Sequence, residues 1–291
     1  MPAPEGVPQP DPETGPRRAP CYRAAVDPTA RRAAAFRPID GAETGPLEAV
    51  WLGRADYRTV WALQKDLAAE RAAGSIGDRL LLVEHPAVLT LGRHSDEAHV
   101  RATTAELAAR GIELIRVERG GEVTYHGPGQ LVAYPIIALA RRGLLLRPLV
   151  RALEGAMVET CAAYRVVADR RDGHPGCWID PSGAAPRKIG ALGIRVERGV
   201  SYHGIALNID PDLGDFGLID PCGMPGVIST SVAVEAGRPD EQPTTAAVAE
   251  AAAIFARAFA SRIDAPLAVY GLASPASESR APRSGVPAMV G

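Results

Sequence analysis

Residues 119–130 read RGGEVTYHGPGQ and stand between two apolar segments that are typical of β-strands. The preceding segment, residues 112–117 (IELIRV), and the following one, residues 131–137 (LVAYPII), are both rich in β-branched side chains. Glycine lets the backbone of a loop approach a ligand closely and leaves its N–H groups accessible as donors. Because this loop also carries arginine, histidine and glutamine, the sequence predicts a binding site supported by a sheet.

The segments around this loop alternate between helical and extended patterns. Apolar spacing predicts helices at residues 57–73, 103–110, 148–163 and 244–263 and strands at residues 48–53, 79–84 and 88–91. Residues 188–197 and 201–209 predict a hairpin that turns at Arg198 and Gly199. Since several strand pairs are joined by short turns, we expect an α/β domain of the α+β type. Its sheets would be mixed or antiparallel and flanked by helices, unlike a doubly wound parallel sheet.

The two ends of the chain differ from its centre in composition. Residues 1–46 are rich in proline, glycine, alanine and charge, and their lack of apolar periodicity predicts an extension without a packed core. Residues 266–291 predict a polar tail. We therefore expect one folded domain over residues 47–265.

Composition narrows the classes of protein and of partner. The chain has 291 residues, of which 46% are hydrophobic and 23% are charged, as in a globular protein. Its formal net charge of −2 gives no electrostatic footprint for nucleic acid. The longest apolar runs are too short to cross a bilayer and no secretory signal is visible. We therefore expect a cytoplasmic protein without a membrane or nucleic-acid partner.

The cysteines differ in their surroundings. The four cysteines include no CxxC pair, which argues against a zinc knuckle or a redox motif, and we expect no metal site. Cys161 and Cys177 have apolar neighbours, as structural cysteines do. Cys222 lies in a turn-rich loop, DPCGMPG at residues 220–226. From these residues alone, Cys222 is either a nucleophile or a structural cysteine.

The chain has only two lysines. Lys65 lies in an amphipathic helical pattern that predicts a solvated charge, whereas Lys188 has glycine and apolar neighbours that oppose a solvated position. A thiol with an ordinary pKa of about 8.5 is only a few per cent ionised at neutral pH. Lowering that pKa by ~2 units requires roughly 2.7 kcal/mol of stabilisation of the thiolate, which a nearby ammonium supplies. Lys188 is the candidate for that ammonium.

Four stretches, in this order, resemble the signature of the lipoate-protein octanoyltransferases, the acyl-transfer relatives of the biotin and lipoate ligases. They are RGGEVTYHGPGQ at residues 119–130, KIGALGI at 188–194, YHGIALN at 202–208 and PCG at 221–223. The resemblance covers residues 47–262. It implies that residues 47–265 form an octanoyltransferase catalytic domain with the fold of the biotin and lipoate ligase catalytic domains.

The resemblance also implies a site and a reaction without a cofactor. Cys222 would carry an acyl thioester, and Lys188 would lower the pKa of its thiol. The donor would be octanoyl-acyl carrier protein, and the acceptors would be lipoyl domains of 2-oxoacid dehydrogenases and the glycine cleavage H protein. Implied substrate-binding residues are Arg119, Gly120, Gly121, Glu122, Val123, Thr124, Tyr125, His126, Ala191, Leu192, Gly193, Gly204, Ile205 and Ala206.

Several roles and alternatives stay open at this point. His126 would bind the acyl carbonyl, position Lys188 or be satisfied within its own loop, and His203 would orient the hairpin. An oxyanion hole is expected from backbone N–H groups of residues 190–193 or beside Cys222. Competing functions are an ATP-dependent lipoate or biotin ligase on the same scaffold and a non-catalytic module that binds carrier proteins.

Overall fold

The structure is a computed structural model that describes residues 45–221, 226–238 and 244–272. Nearly all of the expected N-terminal extension, most of the expected tail and Cys222 lie outside the described residues. None of the helices within the described ranges combines the length and the apolar character that crossing a bilayer requires.

The described residues contain twelve strands and six α-helices. The strands are β1 (Leu47–Arg54), β2 (Arg79–Glu84), β3 (Val88–Leu91), β4 (Glu113–Arg116), β5 (Thr124–His126), β6 (Gln130–Ile136), β7 (Asp169–Arg171), β8 (His174–Ile179), β9 (Arg187–Glu197), β10 (Val200–Asn208), β11 (Ile228–Ser229) and β12 (Leu267–Tyr270). The helices are α1 (Tyr57–Ala73), α2 (Thr104–Ala109), α3 (Leu139–Arg142), α4 (Leu146–Ala163), α5 (Val232–Glu235) and α6 (Thr245–Arg262).

Nine of these strands form the central sheet. Eight of them follow the order β12-β1-β2-β6-β10-β9-β8-β7, and β11 pairs in parallel with β9 beside Lys188. β1 is parallel to β12 and β2, and the other pairings along this path are antiparallel. The β9–β10 hairpin closes at Arg198 and Gly199, whose φ angles of 49° and 78° suit a two-residue turn. β4, β3 and β5 form a separate three-stranded sheet.

Helices cover both faces of the central sheet. On β2, Leu81 and Val83 pack with Val60 and Leu67 of α1, together with apolar residues of β6 and β10. The alternate residues Leu80 and Leu82 point to the opposite face, where α6 packs across β1, β2 and β6 and also against α4. All four of these β2 side chains are buried, which explains why this strand is apolar on both faces.

The expected mixed α/β architecture is confirmed, and the hairpin and the four long helical segments lie within a few residues of their expected positions. α6 begins as expected at Thr244, whose side chain accepts a hydrogen bond from Ala247 N at 3.1 Å. Residues 119–130 are not loop throughout, because Thr124–His126 forms β5 and pairs with β3. The segment expected as a polar tail from residue 266 begins with β12, which pairs with the edge of β1.

Candidate active site

The main cavity lies where β9 and β10 meet residues 119–126, and it has a volume of about 380 Å³. Thirteen of the fourteen expected substrate-binding residues line it, together with Lys188. Tyr125 does not line it, because successive residues of a strand point to opposite faces. Its hydroxyl instead donates to Asp215 Oδ2 at 2.8 Å, on the side away from Thr124 and His126.

Small side chains on two paired strands leave room for the main cavity. Ala191 of β9 stands opposite Ala206 of β10, and Gly193 stands opposite Gly204. Directly opposed residues share one face of a sheet, so these four small residues form a floor of the main cavity and leave its space open. A Cβ atom on Gly193 would lie 2.7 Å from Gly120 O, which shows that this glycine also lets residues 119–121 lie directly on β9.

Arg119 fixes the loop above that floor. Its Nη2 donates to Thr90 O at 2.6 Å and to Thr90 Oγ1 at 2.9 Å, and its Nη1 donates to Gly120 O at 3.1 Å. Gly120 N donates to Ile194 O at 3.2 Å, so the loop is attached both to β3 and to β9. Arg119 therefore acts as a buried anchor of the cavity wall.

His126 is held as one neutral tautomer. Gln130 Nε2 donates to Asn208 Oδ1 at 2.9 Å and to Tyr125 O at 3.2 Å, so Gln130 Oε1 is the acceptor for His126 Nδ1–H at 2.8 Å. Burial first, and His85 second, lower the pKa of His126 to about 3. Its Nε2 therefore carries a lone pair at neutral pH. The hydrogen bond to Gln130 is the contact within its own loop that was one of the three expected roles, and the roles toward an acyl carbonyl and toward Lys188 stay predictions.

Two tyrosine side chains that were not expected from sequence, Tyr57 and Tyr134, form part of the wall. Tyr57, the first residue of α1, stacks on His126 with ring centroids 5.7 Å apart. Tyr134 donates to His85 Nε2 at 3.0 Å, because His85 Nδ1 donates to Ala55 O. Burial lowers the pKa of His85 to about 4. Other lining residues outside the expected set are Val132, Gly173, His174, Pro175, Ile194 and His203.

His203 departs from regular strand geometry. Its φ angle is 54°, in the left-handed region. As a result its ring stacks on that of the preceding residue, Tyr202, with centroids 5.0 Å apart, although neighbours in a strand normally point to opposite faces. Its backbone N–H donates to Gln64 Oε1 at 2.8 Å, which attaches the hairpin to α1. Burial, followed by the charge of Arg119, lowers its pKa to about 3.

Lys188 lines the main cavity and is 6% exposed, whereas Lys65 is exposed as expected. Its Nζ lies 3.4 Å from Pro175 O and 4.9 Å from the ring centroid of Trp178. Its backbone oxygen accepts from Thr230 N at 2.9 Å, next to its parallel pairing with Ser229. These contacts hold its side chain in the β8–β9 part of the wall.

A small cavity of about 20 Å³ shares four lining residues with the main one, and Lys188 is among them. Pro221 and Ser229 line it with Lys188, and these two residues flank the segment that contains Cys222. Cys222 itself lies outside the described residues. Cys161 and Cys177 are buried free thiols, as expected of structural cysteines.

The chain is similar in sequence to curated octanoyltransferases. Residues 56–252 match the family model described as the lipoyl protein ligase A/B catalytic domain. The chain is 48% identical over 201 residues to an octanoyltransferase of Chloroflexus aurantiacus, with 69% of this chain and 87% of that protein covered. It is 43% identical over 237 residues to an octanoyltransferase of Mycolicibacterium gilvum, with 81% and 93% covered.

Solved structures show the same fold. A bipartite lipoate protein ligase of Thermoplasma acidophilum, described with its E2 lipoyl domain, has a TM-score of 0.55 at 14% identity, with 78% of this chain and 87% of that chain covered. Lipoate-protein ligase A bound with ATP has a TM-score of 0.54 at 16% identity, with 77% and 88% covered. The chain therefore belongs to the lipoyl protein ligase A/B catalytic-domain family, among its octanoyltransferases, which are acyltransferase enzymes.

Proposed function

We propose that this enzyme transfers an octanoyl group from octanoyl-acyl carrier protein to a lysine of a lipoyl domain, through a thioester on Cys222. The main support is the position of the chain on both sides of residues 222–225. Pro221 lines the small cavity with Lys188, and Ser229 pairs with Lys188 in the sheet. The described residues on both sides of the segment 222–225 therefore border the same lysine.

The first step forms the thioester. Lys188 takes the proton of the Cys222 thiol and stabilises the thiolate, which is the nucleophilic form. The sulfur attacks the carbonyl carbon of the donor thioester, and the bond from that carbon to the carrier's sulfur breaks. The departing thiolate takes the proton from Lys188, so the lysine ends this step as a neutral amine.

The second step forms the amide. The ε-amine of the acceptor lysine attacks the acyl carbon of the enzyme thioester, and neutral Lys188 accepts the proton that the amine loses. The carbon–sulfur bond to Cys222 then breaks, and the proton returns to the sulfur. The thioester supplies the driving force for amide formation, so this route uses no ATP.

The main cavity suits the acyl chain. Its volume of about 380 Å³ falls within the range of roughly 300–1,000 Å³ that small-molecule pockets have. At ~0.8 kcal/mol for each buried methylene, an octanoyl chain gains roughly 5 kcal/mol from this cavity. The two strands that carry Ala191, Gly193, Gly204 and Ala206 would support the chain along its length.

An ATP-dependent ligase is the competing function, because solved lipoate ligases share this fold. Residues 119–127 contain a single arginine, and Arg119 is engaged with Thr90 and Gly120. The wall therefore lacks the cluster of loop arginines that would hold a triphosphate. This observation favours acyl transfer from a thioester donor.

Mass spectrometry tests the proposal. The enzyme is mixed with octanoyl-acyl carrier protein without acceptor, and we expect one octanoyl group on Cys222 that hydroxylamine removes. Cys222→Ser should abolish transfer, whereas Cys21→Ser, a matched control outside the resemblance to the family, should retain it. An unmodified enzyme during turnover, or pyrophosphate release from ATP and octanoate, would contradict the proposal.

A further inference from the structure

The small cavity is suited to hold a single oxygen atom beside the reacting carbon. Thr124, Lys188, Ala191 and Ala206 belong to the walls of both cavities, so the two spaces adjoin along these four residues. The small cavity has about 20 Å³ of space, and one water-sized group needs about 10–15 Å³. An acyl chain in the main cavity would place its carbonyl oxygen at this junction.

Asn208, the only asparagine in the chain, lies in the wall of the small cavity. Its Oδ1 accepts from Gln130 Nε2, and its Nδ2 donates to Thr230 O, both at 2.9 Å. Gln130 is itself held by His126, so the orientation of the Asn208 amide is fixed. A primary amide has two N–H groups, and Thr230 O is the one acceptor that the described residues provide for Asn208 Nδ2. Its second N–H is therefore uncommitted.

Two of the four residues of β9 that were expected to supply backbone donors have neighbouring strands on both sides. Gly190 and Ala191 are paired on one side with Cys177 and Gly176 of β8 and on the other side with β10. N–H groups of a strand with two neighbours donate to those neighbours. They are therefore not available to an oxygen in the small cavity, whereas the second N–H of Asn208 is.

The surroundings of Asn208 favour this role. Asn208 is 5% exposed and Gln130 is 1% exposed, so the donor needs no reorganisation of water when negative charge develops. A fixed donor in such a site stabilises an oxyanion more than one in water does, because the local dielectric constant is low.

We infer that the small cavity is an oxyanion hole and that Asn208 Nδ2 is its side-chain donor, an inference that rests on the proposed acyl transfer. In each step the nucleophile bonds to the carbonyl carbon, and the π pair of the C=O bond moves to oxygen. Asn208 donates its second N–H to that oxygen. When the pair returns, the bond from carbon to the leaving sulfur breaks, so the donor is needed for thioester formation and for amide formation.

Two reactions of the same sulfur separate this role from a structural one. Single-turnover acylation by octanoyl-acyl carrier protein passes through an oxyanion, whereas alkylation by iodoacetamide displaces iodide from a saturated carbon and does not. Both require the Cys222 thiolate, so their rate ratio is independent of how much thiolate is present. We expect Asn208→Ala to lower the ratio of acylation to alkylation roughly 10²-fold.

A second variant covers the case in which Asn208→Ala fails to fold. Asn208→Asp keeps the shape of the side chain and the acceptor for Gln130 but removes both N–H donors, and it should lower the same ratio by at least as much. An unchanged ratio in the folded variant would overturn the inference, including the case in which both rates fall together. If Cys222 in the unsubstituted enzyme is never acylated, the proposed transfer itself is wrong, which is a different outcome.

Discussion

Two buried polar clusters of this molecule differ in their charge and in their position relative to the cavities. In the first, Asp78 accepts from Arg71 Nε at 2.7 Å, from Arg142 Nε at 2.8 Å and from Ala138 N at 3.1 Å. In the second, three neutral side chains are linked by hydrogen bonds. His126 donates to Gln130, and Gln130 donates to Asn208. In the first cluster, the carboxylate of Asp78 is paired with two guanidinium groups and links α1 and α3 to the start of β2. In the second cluster, Asn208 keeps one N–H donor at the small cavity. This difference predicts that damage to the first affects stability and damage to the second affects chemistry.

The largest effect is expected from the lysine that borders the second cluster. Lys188→Ala should lower the rate of Cys222 acylation by roughly 10²–10⁴-fold, because both thiolate formation and proton transfer lose their partner. Lys65→Ala is a matched control, since it removes the other lysine of the chain, which is exposed on α1 and lies 4.2 Å from the Trp61 ring centroid. Single-turnover rates measure both. Equal rates in the two variants would remove Lys188 from the mechanism.

The next effect concerns the first cluster and should appear in stability alone. Asp78→Ala leaves Arg71 and Arg142 buried without their shared carboxylate, and we expect a loss of about 3–5 kcal/mol in the free energy of unfolding. Urea denaturation measures it. Glu97→Ala breaks an exposed ion pair with Arg116 and should change stability little. A large fall in the activity of the folded fraction of Asp78→Ala would erase the distinction between the two clusters.

The smallest effect is a dependence of stability on pH that belongs to three buried histidines. The folded-state pKa values of His85, His126 and His203 are lowered to about 4, 3 and 3, from an ordinary value of 6.5. Between pH 6.5 and those values the unfolded chain binds protons that the folded chain does not. The stability that these neutral histidines contribute is therefore fully present above pH 6.5, and it decreases as the pH falls toward their folded-state pKa values.

A single substitution tests that dependence. Each such histidine contributes up to about 1.4 kcal/mol per pH unit to the slope. His203→Asn should reduce the slope by the contribution of one histidine. Asparagine is chosen because it tolerates the positive φ angle of this position. Urea denaturation at pH 7, 6 and 5 measures the slope. Identical slopes in the two proteins would show that His203 is not held neutral by the fold.

Sequence patterns predicted elements well where local signals were strong. The helix at residues 57–73 agrees with its apolar spacing, and Asp56 accepts from Thr59 N at its start. The β9–β10 turn follows from Arg198 and Gly199. β5 was missed because three residues give too little periodicity, and its pairing with β3 is a contact between distant parts of the chain. β12 was missed because an edge strand of four residues carries the same weak signal.

The candidate site shows the same division. Residues 119–126, 191–193 and 204–206 were named from motifs, and all of them except Tyr125 line one cavity. The pairing of β9 with β10 and the contact of Gly120 with Ile194 bring them together. Tyr57 and Tyr134 were not expected in the wall, because their part in it depends on how α1 and β6 pack beside that hairpin. The roles of Cys222 and Lys188 stay predictions.

The sequence by itself determined the family, the types of reactive side chain and most helices and strands, because these depend on residue identity and on short-range spacing. Only the tertiary structure decided which nitrogen of His126 carries its proton, that Tyr125 points away from the cavity, and that Asn208 lies beside Lys188 in one wall. The physical reason is that hydrogen-bond direction and burial depend on strand order and register. Those are set by contacts between residues far apart in the chain.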